Sequence, residues 1–136
     1  MTPDEAPPRT ADRVVALSLD DVPARDERGA SIRVVVSPKT TGARNYILGH
    51  AELAPGAVDE AHAHDYGEET IFVIRGEGVL FAQDEEFALK PGSCVFIPRG
   101  VVHSVRNIGS EPLLAIFANG PLAPSPELGH RAVEQK

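Results

Sequence analysis

The sequence predicts an all-β fold, a sandwich or barrel of about eight short strands. Short β-branched and aromatic runs recur at residues 14–19, 32–36, 46–53, 70–74, 79–81, 94–97, 101–106 and 113–117, separated by Gly, Pro and acidic residues. No capped amphipathic helix pattern lies between residues 32 and 117, and Pro38, Pro55, Pro91, Pro98 and Pro112 would break one. At 136 residues, the chain has room for one domain with one hydrophobic core.

Residues 1–12 are rich in Pro, Asp, Glu and Arg and lack apolar periodicity, so they read as a flexible leader. The barrel is expected over residues 13–120. In the run 46–53, Tyr46 and His50 are four residues apart and share a face; both are candidates for an acid or base near a barrel mouth. A Pro55-Gly56 turn then feeds a strand carrying His62 and His64, whose spacing of two projects both imidazoles to one side. Glu69 follows at an odd separation of five, so Asp65-Tyr66-Gly67 must turn or bulge to return its carboxylate to the same side. Tyr66, within that turn, is a candidate gate.

With Glu69 inward, Ile71 and Val73 line the interior, and Phe72 and Ile74 face outward. Two outward apolar residues call for a cover, and a symmetric homodimer packed sheet to sheet supplies one. Residues 77–91 are long enough for a strand, a turn at Asp84-Glu85 and a returning strand. Cys94 reads as a core filler. Pro98-Arg99-Gly100 is a tight-turn signature that ends one strand and launches the next, on which His103 arrives from far along the chain. Asn107 reads as a side chain tying down backbone near a strand end. Residues 121–136 form a proline-rich, then polar tail, with a short helix over residues 126–133 or no order at all.

The net charge of −7, with no basic patch, argues against nucleic acid as a partner. The longest apolar run, residues 113–118, is too short to span a bilayer. A single cysteine and the absence of a secretory h-region point to a reducing cytoplasm.

Gly56, His62, His64, Glu69 and Gly76 resemble the first sequence motif of the cupin superfamily, and Gly92, Pro98, Gly100, His103 and Asn107 resemble the second. All ten positions fit without a gap, placing motif 1 at residues 56–76 and motif 2 at 92–107. Glu68 competes with Glu69 under a shorter family spacing, but Glu69 keeps six residues before Gly76. The resemblance implies a small single-domain cupin barrel, a double-stranded β-helix or jelly roll, with a metal held by His62, His64, Glu69 and His103.

Three imidazoles and a carboxylate suit one divalent transition metal, Fe, Mn, Ni, Co, Cu or Zn, and leave room on the ion for exchangeable ligands. The expected function is a metal-dependent enzyme acting on a small, oxygen-bearing substrate that chelates the metal. The chemistry is either a dioxygenase reaction or a non-redox isomerase, cyclase or lyase reaction. The alternative is a non-catalytic module that binds a metal or a sugar.

Overall fold

A computed structural model describes residues 13–133. The leader expected over residues 1–12 lies outside the described residues. Eleven strands form two antiparallel sheets: β1 (Arg25–Glu27), β2 (Ala30–Val36), β3 (Ile47–Leu53), β4 (Val58–Ala63), β5 (Glu68–Arg75), β6 (Gly78–Ala82), β7 (Glu85–Leu89), β8 (Cys94–Ile97), β9 (His103–Asn107), β10 (Leu113–Gly120) and β11 (Arg131–Ala132). The six-stranded sheet runs β1-β2-β3-β10-β5-β8, and the five-stranded sheet runs β11-β4-β9-β6-β7. Among the described residues the helical structure is confined to two 3-10 turns, Leu19–Asp21 and Pro126–Leu128.

Alternation of burial sets the two faces of each sheet. In β5, Glu69 and Val73 are buried, while Thr70, Phe72 and Ile74 are exposed, as the parity argument requires. Val73, Leu80, Leu89, Ile97, Val105 and Leu113 meet between the sheets as the core.

Several elements differ from the sequence reading. Residues 14–18 form no strand: β1 already occupies the edge of β2, and Val14 is fully exposed. The β6-β7 turn falls at Gln83 and Asp84, both with positive φ, one residue earlier than expected. Cys94 is exposed rather than a core filler, because its partner across the ladder is the outward residue Phe72. The C-terminal segment joins the barrel over its described residues, 121–133. It makes a 3-10 turn and then adds β11 to the edge of β4, with the Val133 amide donating to the Ala61 carbonyl at 3.0 Å.

Gly76 shows what the backbone demands at the β5-β6 turn. Its φ is +90°, and a Cβ there would lie 2.6 Å from the Pro112 carbonyl oxygen. Gly76→Val should therefore destabilise the fold by at least about 2 kcal/mol through left-handed strain and this overlap. Equal denaturant midpoints for the variant and the parent protein would refute that expectation.

Candidate metal centre

The two sheets bring the quartet together from both sides. His62 and His103 lie on the five-stranded sheet as direct partners across β4 and β9. A register shift between Asp59 and His62 makes this pairing possible. Without the extra residue Ala61, not His62, would face His103, so this bulge turns the imidazole inward. Asp59, opposite the core residue Val105, shares the inward face.

His64 follows the end of β4, and residues 65–67 carry the chain to the other sheet, where Glu69 sits on β5. Gly67 is needed there for close approach, because a Cβ would collide with Asn119 Oδ1 on β10. The turn at Pro98-Arg99-Gly100 is tied to the same corner, since the Gly100 amide donates to the His64 carbonyl at 2.7 Å.

Each imidazole is aimed by the same device. His62 Nδ1 lies 2.7 Å from the Glu60 carbonyl, His64 Nδ1 2.8 Å from the Gly129 carbonyl, and His103 Nδ1 3.0 Å from the Val101 carbonyl. A carbonyl only accepts, so every Nδ1 carries its proton, and every Nε2 of a neutral ring presents a lone pair. Ligating nitrogens of the three rings fall within 4.8 Å of one another. Glu69 Oε2 lies 3.3 Å from His64 Nε2 and Oε1 lies 3.3 Å from His103 Nε2, yet neither Nε2 has a hydrogen-bond partner. A carboxylate facing two imidazole lone pairs is repulsive unless a proton or a metal cation stands between them. The donor set therefore fits a divalent transition metal.

The protonation equilibria carry the same strain. Burial, with the positive charges of Arg28 and His103, pushes His62 down to about 3. Burial also opposes charge on His64, but contact with the Glu69 carboxylate and its negative charge outweigh it and hold His64 above its ordinary value. Burial would raise Glu69; contacts and charges of His103 and His64 win and hold it well below the usual carboxylate range. Asp59 is raised to about 6 by burial, although Arg28 Nε donates to its Oδ1 at 3.0 Å and opposes the rise.

These shifts predict an uneven acid profile for the metal-free protein. His62 is depressed, so its stability contribution is lost as pH falls from 6.5 toward 3. Asp59 is raised, so its contribution is gained as pH falls from 6 toward 3.8. The Glu69 contribution is present above 4.5 and lost below, and that of His64 is complete below 6.5. Between pH 6 and 4.5 the His62 loss and the Asp59 gain nearly offset. Below 4.5 the Glu69 loss is added, joined below 3.8 by the uncompensated His62 loss, and unfolding free energy should drop by several kcal/mol, on the order of one per pH unit per group. In Asp59→Asn the compensation is gone, so urea denaturation should show loss beginning at pH 6.5. A variant that kept the parent's plateau would contradict the assignment.

The structure does not bring Tyr46 or His50 to the quartet. On β3, Gly49 and Leu53 are buried, whereas His50 shares the opposite face with Leu48 and Glu52 and pairs with Ile116, next to the exposed Phe72. Tyr46 precedes β3 and is 46% exposed. Tyr66 lies in the expected turn, at the surface. Asn107 does tie down backbone: its Nδ2 donates to the Leu53 and Glu111 carbonyls at 2.9 and 2.8 Å. Two contributors escaped the sequence reading. One is Gly129, whose carbonyl orients His64. The other is Asn119, the polar residue on an inward row otherwise made of Leu113, Ala115 and Phe117.

The profile of the cupin domain matches residues 49–119. This chain belongs to the cupin family. Among its relatives, the cupin is 37% identical over 123 residues to Protein SchB of Streptomyces halstedii, spanning 90% of this chain and 88% of that protein. It is 34% identical over 122 residues to the tetracenomycin polyketide synthase protein TcmJ of Streptomyces glaucescens, spanning 90% and 82%. The polyketide cyclase RemF of Streptomyces resistomycificus has the same fold, with a TM-score of 0.74 at 23% identity over 91% of this cupin and 88% of that chain. No helix among the described residues is long and apolar enough to cross a membrane.

Proposed function

We propose that this cupin is a divalent-metal-dependent enzyme that promotes a non-redox cyclisation of an apolar, oxygen-rich substrate of the polyketide kind. The observation that carries the metal reading is the set of three Nδ1-anchored imidazoles converging with Glu69, two of their Nε2 atoms buried without a partner. His62, His64, Glu69 and His103 would hold the ion. A metal bound there would polarise a carbonyl and favour its enolate.

The chain's own residues do the rest. The three backbone carbonyls hold the proton on each Nδ1 and fix the direction of each ring. Around the quartet, Ile71 and Phe117 pair across β5 and β10, and Ala82 pairs with His103; these partly buried apolar side chains would hold a hydrocarbon framework and limit water. The placement of arginines disfavours a phosphorylated substrate. Arg28 pairs with Asp59, Arg33 donates to the Leu19 and Val22 carbonyls, and Arg75 and Arg106 are exposed. The names of two relatives support the substrate class: TcmJ and the CurC protein of Streptomyces cyaneus, the latter 32% identical to this cupin over 127 residues, both bear polyketide synthase names.

Iron-dependent dioxygen chemistry is the second reading, favoured by the same three-imidazole, one-carboxylate set. Protein loaded in turn with zinc, nickel and iron(II) should be given a linear poly-β-ketone and followed by mass spectrometry beside oxygen uptake. Loss of water without oxygen uptake is the expected result, and His62→Ala should abolish it. Oxygen uptake with two oxygens gained would establish the dioxygenase, and tight binding without turnover would leave a non-catalytic module.

The outward apolar row supports a homodimer. Phe72, Ile74 and Phe96 are 46%, 45% and 58% exposed on the six-stranded sheet. Phe72→Glu should turn a dimer into a monomer in sedimentation, and a parent protein that sediments as a monomer would refute the dimer. The single cysteine, Cys94, free and exposed, supports a reducing compartment such as the cytoplasm.

A further inference from the structure

Among the described residues, three buried side-chain polar atoms have no hydrogen-bond partner: Nε2 of His64, Nε2 of His103 and Nδ2 of Asn119. Two belong to the quartet, and the third stands beside it. Asn119 is 8% exposed, and its partner across the β10-β5 ladder is Glu69. Directly opposed residues of an antiparallel pair project from the same face, so the carboxamide and the carboxylate are neighbours in the interior. The carboxamide oxygen packs toward Gly67. That leaves Nδ2 as a buried donor in want of an acceptor.

We infer that Asn119 is a positioning residue whose Nδ2 donates to the Glu69 carboxylate when the metal is bound. The inference rests on the metal reading above. Without metal, the two Glu69 oxygens face the Nε2 atoms of His64 and His103, at 3.3 Å each. Were His64, His103 and one Glu69 oxygen to hold a cation, the other Glu69 oxygen would be left charged and buried, without the imidazole it now faces. A buried carboxylate oxygen needs a donor, and a ligating carboxylate is held in place by one. One metal ion would thus satisfy all three orphaned atoms at once, two directly and the third through Glu69.

The test separates this role from a merely structural one. Asn119→Ala should bind zinc about 10 to 100 times more weakly than the parent in competition with a chromophoric chelator. Its metal-free melting temperature should be unchanged or higher, because the substitution removes a donor that the metal-free fold leaves unpaired. Unchanged zinc affinity overturns the proposal, whatever happens to the melting temperature.

A second measurement needs no variant. In the nitrogen-proton spectrum of the parent protein, the Asn119 side-chain amide should move downfield and exchange more slowly on addition of zinc, and an unmoved resonance overturns the proposal even if Asn119→Ala fails to fold. If the parent protein binds no zinc, the metal reading itself falls and takes this role with it. Zinc bound equally by parent and variant removes the role of Asn119 alone.

Discussion

His103→Ala is expected to weaken zinc binding by about 100- to 1,000-fold, the loss of one of the four proposed ligands from a site whose other parts stay in place. The argument lies in how rigidly this imidazole is held. His103 is 1% exposed, pairs with both His62 and Ala82 across its strand, and has its ring fixed by the Val101 carbonyl. The turn before it is bound to the His64 backbone through Gly100. No other described side chain in the chain's second motif offers a nitrogen at that position, so water must substitute. Chelator competition measures the change, and parity between the variant and the parent would show that the quartet is not the metal site.

Acid release of the metal should be governed by His64 rather than His62. A histidine held near 3 stays neutral through the mildly acidic range, so His62 offers protons little foothold. His64 is the reverse case: its folded pKa is raised, so protons begin to compete for its Nε2 above the ordinary value of 6.5. Apparent zinc affinity should therefore start to fall near neutrality, by about tenfold per pH unit for each proton that displaces the metal. Glu69→Gln removes the charge that raises His64, so the onset should move to lower pH even though overall affinity is reduced. Full zinc occupancy at pH 4 in the parent, or an onset unmoved in Glu69→Gln, would refute this account.

The quartet and the inward face of β5 were legible because both rest on local spacing. The spacing of two from His62 to His64, and the alternation from Glu69 to Val73, need only the geometry of a strand. The outward direction of His50 was open to the same parity. His50 shares its face with Glu52, and the opposite face carries Leu53, so the charged partner already marked His50 as outward. Asn119 escaped notice although it is the polar member of an apolar row, because its meaning depends on which strand lies beside it. The bulge before His62 and the use of Gly129 were out of reach. Each is decided by pairing between segments far apart in sequence, and neither leaves a trace in local composition.

The bond from His64 Nδ1 to the Gly129 carbonyl spans 65 residues and reaches almost to the last described strand. A chain emerging from the ribosome presents His62, His64, Glu69 and His103 well before it presents Gly129. Until that carbonyl arrives, the His64 ring is free to rotate and either nitrogen can carry the proton. The final orientation of the His64 ring thus waits until Gly129 has cleared the translation machinery.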